Sequence, residues 1–213
     1  MWGKLVGLVF PHKTPIARFD TLSIDQLAQT AHTVHIRCLV SCIAPFPFTN
    51  ALVRTAIHAT KYHGHVRASS LLGQALAPFL AESLADLRMT GRFTTPLLIP
   101  MPIHTRRLRE RGYNQSERIA KALIDELQDT QTSLAMNILL RIKNTKRQAR
   151  KTNRNTRMSA VRGAFSVKKD TDVRNMDIIL LDDVITTGAT MREARDTLIH
   201  AGVREVLCVA CAH

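Results

Sequence analysis

The strongest hydrophobic signal in the chain is Ile178 to Leu181, four consecutive apolar residues that run into Asp182 and Asp183. Four residues are too few for a buried helix, so the run reads as an interior strand. A short turn follows, and a helical period holds from Thr190 to His200, with Gly202 as its stop. Val206 to Ala210 reads as the last strand. Upstream, Leu97 to Met101 reads as a short strand stopped by Pro102, and Ala164 to Val167 as a further one. Ser133 to Leu140 fits neither template.

Helical stretches alternate with these strands. Ser23 and Gln26 have the spacing of a capping box for a helix over Leu22 to Val34. Pro45 and Pro47 break the chain around Phe46 and Phe48. Asn50 caps a helix through Tyr62 that ends at Gly64. Ser69 or Ser70 opens a longer helix to Leu87, with Leu72, Leu76, Leu80, Leu84 and Leu87 on one face. Pro78 inside it predicts a kink or a split. Asn114 and Glu117 are spaced as a second capping box, for a helix to Leu127 with the stripe Ile119, Leu123, Ile124 and Leu127. This alternation predicts an α/β fold, a parallel sheet flanked by helices.

In such a sheet ligands bind outside the carboxyl ends of the strands, and Asp182 and Asp183 sit at such an end. The turn after them is rich in hydroxyls, carries Gly188, and opens onto a helix N-terminus. Free N–H groups and the positive end of the helix dipole make that place an anion site. Two carboxylates beside an anion cradle suit a ligand with a phosphate at one end and hydroxyls beside it. A ribose 5-phosphate has that shape.

The run Ile178 to Thr190 (IILLDDVITTGAT) resembles the phosphoribosyl pyrophosphate (PRPP) motif of type I phosphoribosyltransferases. The resemblance implies that Asp182 and Asp183 hold the ribose hydroxyls and serve catalysis. It also implies that Val184 and Ile185, Thr186, Thr187, Gly188, Ala189 and Thr190 line the PRPP site, with Ile185 to Thr190 around the 5′-phosphate.

Charge adds a second candidate region. The chain of 213 residues carries a formal net charge of +13, which favours nucleic acid, polyphosphates or acidic surfaces without choosing among them. Thr130 to Lys169 contains no acidic residue. Its segment Lys146 to Arg157 reads either as a mobile hood over the site or as a solvated basic loop. Arg106, Arg107, Arg109 and Arg111 follow the Leu97 to Met101 strand, and guanidinium forks there suit a pyrophosphate. Aromatic residues make up 5% of the chain, which weakens a reading based on base stacking.

Pro100 to Gln115 (PMPIHTRRLRERGYNQ) resembles the PVP…R..RG[FY]NQ signature of ComF-family proteins. Thr60 to Gly64 resembles the family's LKY.G element, and Gln148, Arg154, Asn155 and Gly163-Ala164-Phe165 its Q…R..N..GAF stretch. Membership would imply a type I phosphoribosyltransferase-like fold over 51–213. It would bring PRPP with Mg²⁺ on its pyrophosphate, Arg106, Arg109 and Arg111 on that pyrophosphate, and an acceptor such as a nucleobase. It would also imply a link to competence and single-stranded DNA. An enzyme, a PRPP sensor without catalysis, and a DNA-associated protein all remain compatible with these features.

The N-terminal segment, 1–50, departs from the family and is expected to be mostly helical. Many ComF proteins carry two Cys pairs there for zinc, whereas this segment offers only Cys38 and Cys42, with His32 and His35 nearby, so zinc is not expected. Cys208 and Cys211 are three apart on the last strand, hence on opposite faces, and read as core thiols. The apolar start MWGKLVGLVF lacks a small-residue cleavage site, and no apolar run reaches the roughly 18 residues of a membrane span. A cytoplasmic location is the expectation.

Overall fold

The computed structural model describes residues 23–31, 35–144 and 161–213. The MWGKLVGLVF start, the whole of the expected hood, and the Gln148, Arg154 and Asn155 positions lie outside the described residues. In chain order the elements are α1 (Ile24–Ala28), β1 (His35–Arg37), β2 (Ser41–Ile43), α2 (Ala51–His58), a π-helical turn (Ala59–His63), α3 (Val66–Met89), β3 (Leu97–Pro100), α4 (Thr105–Arg111), α5 (Gln115–Leu127), β4 (Ser133–Leu134), β5 (Leu139–Arg141), β6 (Phe165–Val167), β7 (Asp177–Val184), α6 (Ala189–His200) and β8 (Glu205–Ala212).

Strand β7 is the middle of the architecture. The main sheet has the order β1-β2-β8-β7-β3-β4, and every pairing in it is parallel except β1 with β2. A parallel strand is covered on both faces, so it needs apolar residues at every position. Ile179 and Leu181 enter the core formed with α2, α3 and α5, while Ile178 and Leu180 enter the core on the α6 side. The pleat carries Asp182 onto one row and Asp183 onto the other. Cys208 and Cys211 divide between the same two cores, as their spacing predicts. Burial holds the Cys42 and Cys211 thiols well above their ordinary range and pushes Cys208 up to about 12, so all three are apolar core groups.

The base of β7 is pinned by charge. Arg204 donates from Nε and Nη2 to the two oxygens of Asp177, at 2.8 and 2.5 Å, and the Thr94 N–H adds a bond of 2.9 Å. Burial pushes the Asp177 carboxyl up, but the guanidinium fork and the amide outweigh it and hold the group below its ordinary range.

Several expectations change. The Ser23–Gln26 capping box forms, but the helix it opens closes after Ala28 instead of running to Val34. Thr30 bonds back to the Leu27 carbonyl, and the β-branched Thr30, Thr33 and Val34 disfavour its continuation. The segment expected to be mostly helical instead gives β1 and β2 to the main sheet, where β2 lies beside β8. Pro78 does not split α3. It sits on the exposed side, where water can take the carbonyl that proline leaves unbonded. The ambiguous stretch resolves into β4 and β5, and β5 pairs antiparallel with β6 in a separate two-stranded sheet. Among the described residues no helix is long and apolar enough to cross a membrane.

Helices α3 and α5 make the largest helix contact and set the floor under the site. Leu72, Leu76, Leu80 and Leu84 are fully buried on this face, each contributing roughly 1.5–3 kcal/mol. The helices approach so closely at Gly73 that a Cβ there would lie 2.6 Å from the Ile119 carbonyl oxygen and 2.7 Å from the Leu123 nitrogen. Both atoms are backbone and cannot turn aside. Gly73→Ala is therefore expected to lower stability by about 1–3 kcal/mol in urea unfolding, despite alanine's higher helix propensity. A variant as stable as the wild type would contradict this packing.

Candidate functional site

The apolar run of β7 gives way to two carboxylates where its pairing with β3 stops, at Leu181, while the ladder with β8 continues to Val184. Asp183 is buried, 2% exposed, and Asp182 is half-buried. Asp182 Oδ1 accepts from the Asp183 N–H at 2.8 Å and from Ser116 Oγ at 3.2 Å. Asp183 Oδ1 accepts from the Val184 N–H at 3.0 Å. Asp183 Oδ2 lies 2.7 Å from Lys61 Nζ, a close ion pair without the alignment of a hydrogen bond. Burial first, and the Asp183 charge second, push Asp182 up to about 7, while Lys61 pulls the other way.

The chain then turns through Ile185 to Gly188 into α6. Ile185 is buried and its N–H donates to the Ala212 carbonyl at 2.8 Å, so it anchors the turn and is no donor to a ligand. The expected cradle of Ile185 to Thr190 narrows to Thr186 to Thr190. Gly188 is the N-cap of α6, at φ +78°, a conformation that favours glycine. A Cβ there would also meet Cys38 Sγ at 2.5 Å. The helices α1 to α5 are each capped by a side chain, from Ser23, Asn50, His65, His104 and Asn114. The N-cap of α6 offers none; nearby, Thr187 Oγ1 accepts only a long 3.4 Å bond from the Ala189 N–H. Its first N–H groups thus face the end of β7 ready for an anion.

The arginines lie on a short helix, α4. Arg106 pairs with Glu110 one turn along, at 2.9 Å, and is mostly exposed, as is Arg109. Arg107 and Arg111 share the opposite, half-buried side of α4. Arg111 donates to Gln115 at 2.5 Å and lies about 6 Å from the ring centres of Tyr62 and Tyr113. Arg141 is lowered by burial and by the charge of Arg107, and feels the opposite pull of Asp182. The structure thus leaves Arg106 and Arg109 on the exposed side of α4 and Arg107 and Arg111 on its half-buried side.

Lys61 and Ser116 touch the acidic pair, and the sequence pattern did not single them out for that. Ser116 had a signal, since the Asn114 cap fixes the first turn of α5. The Asn114 side chain accepts from the Ser116 N–H at 3.1 Å and donates to the Met101 carbonyl at 3.1 Å, tying α5 to the end of β3. Glu117 meets the Asn114 side-chain amide at 3.3 Å, which is not the backbone bond of a capping box.

Among the described residues no group of three or more His, Cys, Asp and Glu side chains is arranged to hold a metal. Cys38 is half-buried, and Cys42 lies on β2 in register with Cys208. His32 and the His35 side chain lie outside the described residues.

Because Asp182 is raised toward 7 from an ordinary value near 4, the folded state keeps a proton that the unfolded chain releases in between. The stability this group contributes is full below about pH 4 and is lost as the pH rises to about 7. Asp182→Asn is expected to be more stable than the wild type at pH 8, by roughly 1–3 kcal/mol, with the difference vanishing near pH 4. Thermal unfolding at the two pH values measures this, and an equal Tm difference at both would contradict a strained carboxylate.

The family model described as a phosphoribosyl transferase domain matches residues 114–213, which hold α5, β7, the turn and α6. Competence protein F of Haemophilus influenzae is 32% identical over 139 residues, 63% of this chain and 58% of that protein. The chain thus matches less than two thirds of that relative's length. DNA utilization protein YhgH of Escherichia coli K12 is 30% identical over 202 residues, 89% of this chain and 83% of that protein. A hypoxanthine phosphoribosyltransferase from Staphylococcus aureus superposes with a TM-score of 0.38 at 14% identity, over 67% of this chain and 61% of that one, a likeness too slight to bear on the site. With a relative this similar across most of both chains, and the domain model falling on the acidic strand end itself, the chain belongs to the ComF family and carries the type I phosphoribosyltransferase-like fold.

Proposed function

We propose that this protein binds PRPP at the end of β7 and transfers its phosphoribosyl group to an acceptor with release of pyrophosphate. One observation carries the reading: the carboxylates of Asp182 and Asp183 stand beside a helix start that has no side-chain cap of its own. The carboxylates would accept from the ribose 2′- and 3′-hydroxyls. The N–H groups and hydroxyls of Thr186 to Thr190 would hold the 5′-phosphate. The half-buried Arg107, Arg111 and Arg141, ahead of the exposed Arg106 and Arg109, are the guanidinium groups this reading assigns to the pyrophosphate.

Loss of pyrophosphate leaves positive charge on the ribose ring, an oxocarbenium-like state as in glycoside cleavage. Carboxylates near the ring stabilise it, and half-buried guanidinium groups stabilise the departing anion. Mg²⁺ on the pyrophosphate would add charge there, since this ion prefers phosphate oxygens and water to a protein cage. Asp182 and Asp183 are the chain's nearest donors to it. They fit only in part, because Lys61 already stands against Asp183 Oδ2. The relatives named for competence and DNA utilization support a role beside DNA. The exposed Arg106 and Arg109 and the charge of +13 favour a phosphate-contacting DNA surface as a second reading.

Calorimetric titration of PRPP with Mg²⁺ tests the first reading. Saturable binding is expected in the wild type. In the variant carrying both Asp182→Asn and Asp183→Asn, it should weaken at least about a hundredfold. Absence of binding to folded wild type would sink the proposal and leave the basic surface as the lead.

A further inference from the structure

Lys61 reaches the acidic pair from a fixed place. It lies in the π-helical turn Ala59–His63, a form that inserts extra backbone into a helix and recurs at functional sites. The turn closes at Gly64 in the left-handed conformation, and Arg118 on α5 donates to the Gly64 carbonyl at 2.5 Å. The Lys61 side chain is 20% exposed, and the Asp183 side chain it meets is 3% exposed. Two carboxylates on adjacent residues in so dry a place repel each other, and a cation must offset them.

A divalent ion shared between the two carboxylates would need an oxygen of the buried Asp183 that is otherwise free. Asp182 Oδ1 already accepts from Asp183 N and Ser116 Oγ, and Asp183 Oδ1 from Val184 N. Asp183 Oδ2 has no hydrogen bond, and the Lys61 ammonium stands 2.7 Å from it. Mg²⁺ requires an oxygen at roughly 2.0–2.1 Å within a near-octahedral shell, so it and the ammonium compete for the same oxygen in both space and charge.

We propose that Lys61 is the resident counter-cation of the acidic pair, so that PRPP binds without a divalent ion on the ribose side. A lysine suits this role. Its ammonium is a compact point charge on a flexible stem, and it can slide from the carboxylate toward the ligand's phosphates as the ribose hydroxyls take up the carboxylate oxygens. Mg²⁺ then serves the departing pyrophosphate and not the docking of the ribose. The inference rests on the PRPP reading above for its ligand, but its first test needs no PRPP.

That test is calorimetric titration of Mn²⁺ into the free protein. The wild type is expected to show no saturable uptake, Lys61→Met to gain a site, and Lys61→Met combined with Asp183→Asn to lose it again. The second arm titrates PRPP in Mg²⁺ and in EDTA. The wild type should keep its affinity within about tenfold between the two. Lys61→Met should fall more than about a hundredfold in EDTA and recover to within about tenfold in Mg²⁺, and Lys61→Arg should behave as the wild type. Circular dichroism and Tm establish that each variant is folded, and Lys61→Gln replaces Lys61→Met if that variant is not. Mn²⁺ uptake by the wild type equal to that of Lys61→Met overturns the proposal, as does wild-type PRPP binding that vanishes in EDTA. Failure to bind PRPP in either buffer sinks the PRPP reading instead, and the Mn²⁺ arm still decides what Lys61 does.

Discussion

The structure turns on two like charges placed side by side at the end of a strand that is otherwise apolar throughout. Burying adjacent carboxylates is unfavourable, and a fold that needed only stability would put other residues there. Every neighbouring element is arranged around that cost. The turn before α3 delivers Lys61, the start of α5 delivers Ser116, and the strand's own amides fold back onto the carboxylate oxygens. Even so, Asp182 remains raised to about 7, so the charge is only partly offset. Strain that persists at one point amid a well-packed core is the usual mark of a ligand site.

The scaffold explains how that strain is tolerated. β7 is paired on both sides and covered on both faces, and its base is locked by the Arg204 fork on Asp177. The close approach of α3 and α5 at Gly73 fixes the middle of α5, and the Asn114 bonds to the Met101 carbonyl and the Ser116 N–H hold its first turn at the end of β3. On the other side, the turn between β1 and β2 lies against the α6 start, where the Leu39 N–H donates to the Thr187 carbonyl at 3.3 Å and Cys38 fills the space that a side chain at residue 188 would need. The N-terminal segment thereby shapes the candidate phosphate cradle as well as the sheet.

Much of this was legible from local pattern. The run Ile178 to Leu181, the acidic pair, Gly188 and the following helix were all readable, because a doubly covered strand leaves an unbroken apolar signature and a helix start has its own chemistry. The strands β1 and β2 were not. They are three residues each, and three residues carry too little periodicity to distinguish strand from helix. Lys61 was quoted only as part of a motif, since its importance comes from a contact 122 positions away in the chain, with Asp183. The facing of the individual arginines was hidden for a related reason. Spacing identified the group, but only the helical turn of α4 decides that Arg107 and Arg111 face inward while Arg106 and Arg109 do not.

The central claim is that the end of β7 and the start of α6 form one site for a sugar phosphate. A crystal structure of the protein with PRPP tests it most directly. The account predicts the 5′-phosphate on the backbone N–H groups of Thr186 to Thr190 and both ribose hydroxyls on Asp182 and Asp183, with Lys61 moved off Asp183 Oδ2. A ligand bound on the outer side of α4, with the acidic pair untouched and still closed by Lys61, would contradict it.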